Sequence, residues 1–441
     1  MCKRFTVVGM DDGQLPRFVP EVVDAIRTHR VFSGGRRHYE AVKELLPVEH
    51  EWIPITVPIP AVFKTYEAIH EEIVVFASGD PLFFGFANTI QREMPDAQMV
   101  LYPCFNSLQM LAHRVLLPYH DMKTVSLTGR PWHELDAALI RGERKIGVLT
   151  DGVHSPRTIA ERLLHFGFSD YRMLVGEHLG NSEQEHVTQL SLEEAKAREF
   201  ERPNCVILYR APSQPPSPLP ASPRGGETIR MASLPLGGAG GGPGPGIPDH
   251  LFDGLAGRPK MITKAAIRVL TLAALDLQHR TCLWDIGFCT GSVSIEARLL
   301  FPHLHVVAFE IRPECEMLMK KNAVRFHAPG IQAFIADFLE ADVDALRDEE
   351  EHALCQPDAV FVGGHGGRLQ DVIVKAFNCL QKGGVMVYNC VDPASVTDDR
   401  IRCDSEDIFN KTASQLGMEV LKPISVTVDD YHPIKILKAL K

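Results

Sequence analysis

No two of the 10 cysteines stand at CxxC spacing, so the chain carries neither a zinc-ribbon pattern nor a thioredoxin-like pair. The cysteines fall mostly in apparent strands and helices, and buried free thiols are expected in place of disulfides or a metal site. No apolar run reaches the ~18 residues that a membrane span needs, and no basic-then-apolar leader is recognisable. No membrane partner and a cytoplasmic location are therefore expected. Basic charge is in short supply as well: 46 Lys and Arg against 56 Asp and Glu leave a net charge of −10. That excludes a general nucleic-acid binder, and any anionic substrate must be met by a local basic patch.

What is present is ordinary soluble composition, 45% hydrophobic and 23% charged, spread over 441 residues. This is too long for one core and suits two or three domains, with a homo-oligomer as the expected association state. The composition shifts once. From 211 to 246 it turns to Pro, Ser and Gly, ending in Gly237-Gly-Ala-Gly-Gly-Gly-Pro-Gly-Pro-Gly246, which cannot bury enough apolar surface to offset its ordering entropy. A flexible linker is expected there, between domains at 1–210 and 247–441.

The second half is organised around Cys282-Leu-Trp-Asp-Ile-Gly-Phe-Cys-Thr-Gly-Ser-Val-Ser-Ile-Glu296. An apolar run closes on Asp285, a loop with Gly287 and Gly291 follows, and an amphipathic helix starts near Ser292. Strand, tight loop and helix N-terminus make a nucleotide-binding corner. A dinucleotide fingerprint wants a further glycine two residues after Gly287, and Cys289 stands there. A cofactor without a pyrophosphate fits better, and S-adenosylmethionine (SAM) is one. Asp285 would face its ammonium, the loop its carboxylate, and Glu310, closing His305-Val-Val-Ala-Phe-Glu310, the ribose hydroxyls. Thr263, Thr290, Gly291, Asp337 and Gly363 complete the expected cofactor contacts of this half.

The first half alternates strands with helical stretches. Strands are read at Phe5–Gly9, after Arg30, at Ile73 onward, 98–102, 124–127, 145–149, 171–175 and 205–209. This alternation says α/β with a mainly parallel sheet. Strands in the second half are read at 281–286, 305–310, 332–336, 359–363 and 385–389, then a closing pair at 423–428 and 433–437 around the turn-like Asp429-Asp-Tyr-His432.

Both halves resemble known families. The second is similar to CbiT-type precorrin methyltransferase domains through Thr263-Lys264, Arg268, Trp284-Asp-Ile-Gly287, Gly291-Ser-Val-Ser-Ile-Glu296, Glu310-Ile-Arg-Pro-Glu314, Asn322 and Phe361-Val-Gly-Gly-His-Gly-Gly367. The first is similar to CbiE-type tetrapyrrole methylases through Val8-Gly9, Gly34-Gly-Arg36, Ser78-Gly-Asp-Pro-Leu-Phe-Phe-Gly85, Ser126-Leu-Thr-Gly-Arg130 and Gly176-Glu-His-Leu-Gly180. Gly9-Met-Asp-Asp-Gly13 departs from the Gly-x-Gly-Pro-Gly loop usual in that family. The resemblance implies a tetrapyrrole-methylase-like α/β domain followed by a class I, Rossmann-like SAM-methyltransferase domain with an antiparallel last strand. It also implies cofactor contacts at Gly9, Gly79, Asp80 and Ser107.

Chemically, the resemblance implies methylation of a precorrin or cobalt-precorrin macrocycle at C5 and C15, with loss of carbon dioxide from the ring-C acetate, in cobalamin biosynthesis. The substrate carries many carboxylates, so Arg36, Arg37 and Arg268 are candidate substrate contacts. His365 is a candidate proton shuttle, and Lys264 is placed with it among catalytic candidates. Three other readings remain: one active domain with the other a substrate-docking module, a non-catalytic SAM-binding scaffold or sensor, and, weakest, a NAD-dependent oxidoreductase.

Overall fold

Phe5-Thr-Val-Val-Gly-Met10 is buried throughout and forms most of strand β1 (Arg4–Met10). It lies between β4 (Ile73–Ser78) and β5 (Gln98–Tyr102), with β2 (Val31–Gly34) and β3 (Glu51–Pro54) beyond β4. All four pairings in this order, β3-β2-β4-β1-β5, are parallel. Apolar side chains cover both faces of it: Val7, Tyr66 and Ile90 pack on one, Val8, Ile26 and Phe76 on the other. That double covering is why β4 reads as an unbroken apolar run in place of an alternation.

A second sheet follows from β6 (Lys123–Ser126), β7 (Lys145–Leu149), β8 (Tyr171–Glu177), β9 (His186–Ser191) and β10 (Asn204–Arg210), in the order β6-β7-β10-β8-β9. Only β6 and β7 run parallel; β7–β10, β10–β8 and β8–β9 are antiparallel. The expectation of a mainly parallel sheet thus fits the first sheet and fails for the second.

The third sheet has eight strands: β11 (Cys282–Ile286), β12 (His305–Glu310), β13 (Ile331–Ile335), β14 (Ala359–Val362), β15 (Val385–Val391), β16 (Glu419–Val420), β17 (Ile424–Val426) and β18 (Ile434–Leu440). Its order is β13-β12-β11-β14-β15-β18-β16, with β17 also on β18. The strands up to β15 are parallel and β18 enters antiparallel, as the resemblance implied. After β11 the chain moves one way to β12 and β13, then returns to β14 on the other side. The order therefore reverses between β11 and β14, and a crevice opens at the carboxyl ends of strands at such a point.

The computed structural model describes residues 2–11, 13, 18–210, 244–258, 261–348, 351–391, 405–428 and 433–441. The expected linker lies outside them apart from Gly244 to Gly246, and so does the turn at Asp429–His432. Two compact units result, one of Met1–Arg130, Arg144–Arg162 and Ser169–Pro215, the other of Pro131–Glu143, Leu163–Phe168 and Pro216–Lys441. The first two sheets belong to the first unit and the eight-stranded sheet to the second. Among the described residues no helix is long and apolar enough to cross a membrane.

One cysteine expectation is corrected. Cys282, opening β11, forms a disulfide with Cys355, 73 residues on, with Cα atoms 6.3 Å apart. Parallel pairing of β11 with β14 brings the segment before β14 back beside the start of β11, which no cysteine spacing could announce. Cys205, Cys289, Cys315 and Cys390 are buried free thiols, as expected.

Candidate active site

In the second unit the corner at the end of β11 has the expected form. Gly287 has φ +83° and Gly291 φ +75°, and Gly291 caps the helix Ser292–Leu300. The Gly287 N–H donates to the Phe309 carbonyl at 2.7 Å, tying the loop to β12. The loop after β14 closes on it from the other side, Gly363 and Gly364 donating to the Ile286 carbonyl at 2.8 and 3.0 Å. A Cβ on Gly287 would stand 2.5 Å from the Gly364 nitrogen. So Gly287 is glycine both for its left-handed backbone and because another backbone occupies the space beside it.

Asp285 is fully buried at this corner. One of its oxygens accepts from the Ser294 hydroxyl at 2.5 Å, while the other, Oδ1, has no partner among the described residues. Burial pushes its carboxyl up to about 7, the Ser294 hydrogen bond opposing and the Glu310 carboxylate reinforcing the shift. An orphaned, buried carboxylate oxygen asks for a donor, and a cationic ligand group would supply one.

Glu310 is 3% exposed at the end of β12, and its carboxylate is crowded with donors. Oε1 accepts from the Ile311 and Arg312 amides at 2.9 and 3.2 Å and from Arg312 Nε at 3.0 Å. Oε2 accepts from the Cys289 amide at 3.0 Å and Arg312 Nη2 at 2.7 Å. Burial raises the carboxyl, but the Arg312 guanidinium and these amides hold it below the ordinary value.

The other expected residues are placed less uniformly. Thr290 is buried, its carbonyl accepting from Asn322 Nδ2 at 2.9 Å. Asp337 pairs with Arg368 at 2.5 Å and accepts from the Leu339 amide at 3.0 Å, and its carboxyl is lowered by Arg368 first of all. His365 directly follows Gly364. Its Nδ1 accepts from the Gly367 amide at 3.2 Å, and its Nε2 lies 3.3 Å from the Tyr388 hydroxyl. Because the amide can only donate, Nε2 carries the proton of the neutral ring. Burial lowers the basicity of that imidazole. Lys264 stands before the helix Ala265–Leu275, its ammonium 3.7 Å from Asp249.

Arg268 does not sit where a substrate contact must. It is fully buried, and its guanidinium donates to Glu296 at 2.8 Å, to Asp249 at 2.8 Å, to the Thr263 carbonyl at 2.5 Å and to the Ile247 carbonyl. Its plane also lies over the Phe252 ring. With four of its five N–H donors engaged inside the fold and no exposed surface, Arg268 braces the segment before the helix.

In the first unit three loops at the carboxyl ends of β1, β4 and β5 converge. A Cβ on Gly9 would collide with the Gly79 carbonyl and come within 2.8 Å of the Cys104 nitrogen, and one on Gly79 would reach Asn106 Cα at 3.2 Å. Gly79 has φ +64° and donates to the Met10 carbonyl at 2.6 Å. Asp80 caps its own turn through the Leu82 amide at 2.9 Å, and Ser107 opens the helix Ser107–Arg114 behind Asn106. Beside this junction a cleft of about 280 Å³ is lined by Met10, Asp11, Arg37, His38, Glu40 and Asn181, among others. Arg37 Nη2 and His38 Nε2 each reach Ser78 Oγ at 3.1 Å; burial, then Arg37, lowers His38 to about 4. Arg36 is exposed and is not among the residues lining the cleft.

Ser294 and Arg312 bond the two acids directly and are not singled out in the sequence reading. Ser294 had a signal, since the third residue of a helix starting at Ser292 turns back toward the strand end. Arg312 had one too, as a cation two residues after a buried acid.

Glycine loops at a reversal of strand order, a buried acid with one unbonded oxygen on one strand and a second acid ending the next make a Rossmann-like corner of the kind in which nucleotide ligands bind. Residues 4–196 match the tetrapyrrole (corrin/porphyrin) methylases and residues 257–421 the precorrin methyltransferase domain. The precorrin-6Y C(5,15)-methyltransferase (decarboxylating) of Sinorhizobium sp is 30% identical over 388 residues, 88% of this chain and 84% of that one. The cobalt-precorrin-6B C(15)-methyltransferase (decarboxylating) of Salmonella typhimurium is 39% identical over 144 residues, 32% of this chain and 68% of that one. The cobalt-precorrin-7 C(5)-methyltransferase of the same organism is 28% identical over 204 residues, 46% of this chain and 98% of that one. The chain belongs to the precorrin-6Y C5,15-methyltransferase (decarboxylating) family and is a methyltransferase of cobalamin biosynthesis.

Proposed function

We propose that the chain uses SAM at two sites: the first unit methylates a precorrin at C5, and the second methylates C15 and removes carbon dioxide from the ring-C acetate. The observation that carries the cofactor reading is the corner at β11, where a fully buried Asp285 oxygen lacks a donor beside a loop of glycines. Asp285 would hold the ammonium of SAM, the Gly287–Gly291 loop and the first amides of the helix Ser292–Leu300 its carboxylate, and Glu310 its ribose. Gly9, Gly79, Asp80 and Ser107 would line the site in the first unit. The division of labour is supported by separate C5 and C15 relatives, the former aligned over 204 residues and the latter over 144.

SAM, when bound, supplies a methyl group already activated on a sulfonium. The protein's own work is to align a ring carbon with it and to exclude water, which can be worth roughly 7 to 11 kcal/mol of the barrier. Arg37, which lines the cleft of the first unit, would orient a substrate carboxylate. In the second unit His365, one residue from the backbone that packs on Gly287, would relay a proton for decarboxylation, with Tyr388 holding its ring.

Titration of the full chain with S-adenosylhomocysteine tests this reading. Two binding events are expected, one of which disappears in Asp285→Ala. Binding of NAD with no response to the adenosyl ligand would refute it.

A further inference from the structure

Arg312 stands where the cofactor's ribose is expected to go. If Glu310 is the ribose acid, as proposed above, two vicinal hydroxyls must reach its carboxylate. A carboxylate offers about four lone-pair directions. Here five N–H groups already point at it: three backbone amides, from Cys289, Ile311 and Arg312, and the Nε and Nη2 of the Arg312 side chain. The amides are fixed by the loop and strand and hold the carboxylate in place. The guanidinium takes one oxygen with each of two nitrogens, the two-pronged arrangement that a diol would also adopt. Both cannot be accommodated.

The two competitors differ in mobility. Glu310 is almost wholly buried, whereas the Arg312 side chain is 24% exposed, and its remaining polar contact is Nη1 to the Met261 sulfur at 2.9 Å. A thioether is a weak acceptor. Breaking the fork therefore releases Arg312 toward water at little further cost, while Glu310 has nowhere to go. We infer that Arg312 is an affinity-setting residue of the second unit's cofactor site, which a ribose diol must displace from Glu310 before the cofactor is seated. Free enzyme keeps its acid neutralised by its own guanidinium, and the ligand-bound enzyme exchanges that ion pair for neutral hydroxyls.

The test is calorimetric titration of the full chain at pH 8 with S-adenosylhomocysteine. Glu310→Ala first identifies the second unit's binding event as the one it removes; loss of no event refutes the ribose role of Glu310 itself. Arg312→Met keeps the side-chain stem and removes the competitor, and should tighten that event about tenfold, or about 1.4 kcal/mol. Arg312→Lys keeps the charge without the fork and should fall between the two. Unchanged or weaker binding in both variants overturns the inference while leaving Glu310's role intact. A crystal structure with S-adenosylhomocysteine should put the ribose hydroxyls on Glu310 and Arg312 away from it, and a bound ribose beside an unbroken Arg312–Glu310 fork would equally overturn it.

Discussion

Asp285 combines two properties rarely found in one side chain, complete burial and an oxygen that nothing bonds. Its folded-state value of about 7 lies above its ordinary 3.8, so between these two pH values the unfolded chain ionises while the folded chain keeps its proton. The group's contribution to stability is thus greatest below pH 3.8, falls as pH rises toward 7, and is level beyond it. Asp285→Asn should remove a loss of about 2–4 kcal/mol across that window, read as a flatter dependence of the urea midpoint on pH between 5 and 7.5. In the ligand-free enzyme at pH 6 the acid is largely protonated. Binding an ammonium there should release a proton, visible as heats that change with buffer ionisation enthalpy; identical heats in all buffers would count against the contact. Arg268 makes the opposite case. Replacing it with Met leaves the buried Glu296 without its cation, Asp249 keeping only the more distant Lys264, and should lower stability by about 3–5 kcal/mol in urea unfolding. In sequence Arg268 reads as a candidate substrate contact, and only the convergence of Asp249, 19 residues before, and Glu296, 28 after, shows it turned inward.

At the scale of the element, the loop after β11 works because two backbones meet there. Gly287→Ala adds a Cβ at φ +83° and 2.5 Å from Gly364, so it should abolish the second unit's binding of S-adenosylhomocysteine while leaving the first unit's intact. Gly9→Ala should do the reverse, since its Cβ would collide with the Gly79 carbonyl. Equilibrium dialysis of the two variants distinguishes them, and loss of both events in either would contradict the assignment. The parallel core strands β11, β12 and β14 were legible because their residues are buried on both faces and read as apolar runs. Strands β3, β9 and β16 were not read. Glu51-Trp-Ile-Pro54 is an edge strand ending in proline, His186-Val-Thr-Gln-Leu-Ser191 is a largely polar edge, and Glu419-Val420 is two residues long. The antiparallel second sheet was hidden for another reason: strand direction depends on which strands become neighbours, and β10 inserts between β7 and β8, far from it in sequence.

Over the whole molecule, two matched families in one chain mean two methyl transfers on one macrocycle, and substitutions at the two corners should separate them. Asp285→Ala should stop methylation at C15 and leave the first unit able to bind S-adenosylhomocysteine. The most direct measurement is mass spectrometry of a precorrin-6-type macrocycle after incubation with the full chain and SAM carrying a labelled methyl group. Two labelled methyl increments and the loss of one carbon dioxide are predicted, falling to no C15 methyl in Asp285→Ala. A product with unchanged mass, or one that gains its C15 methyl undiminished in Asp285→Ala, would contradict the account.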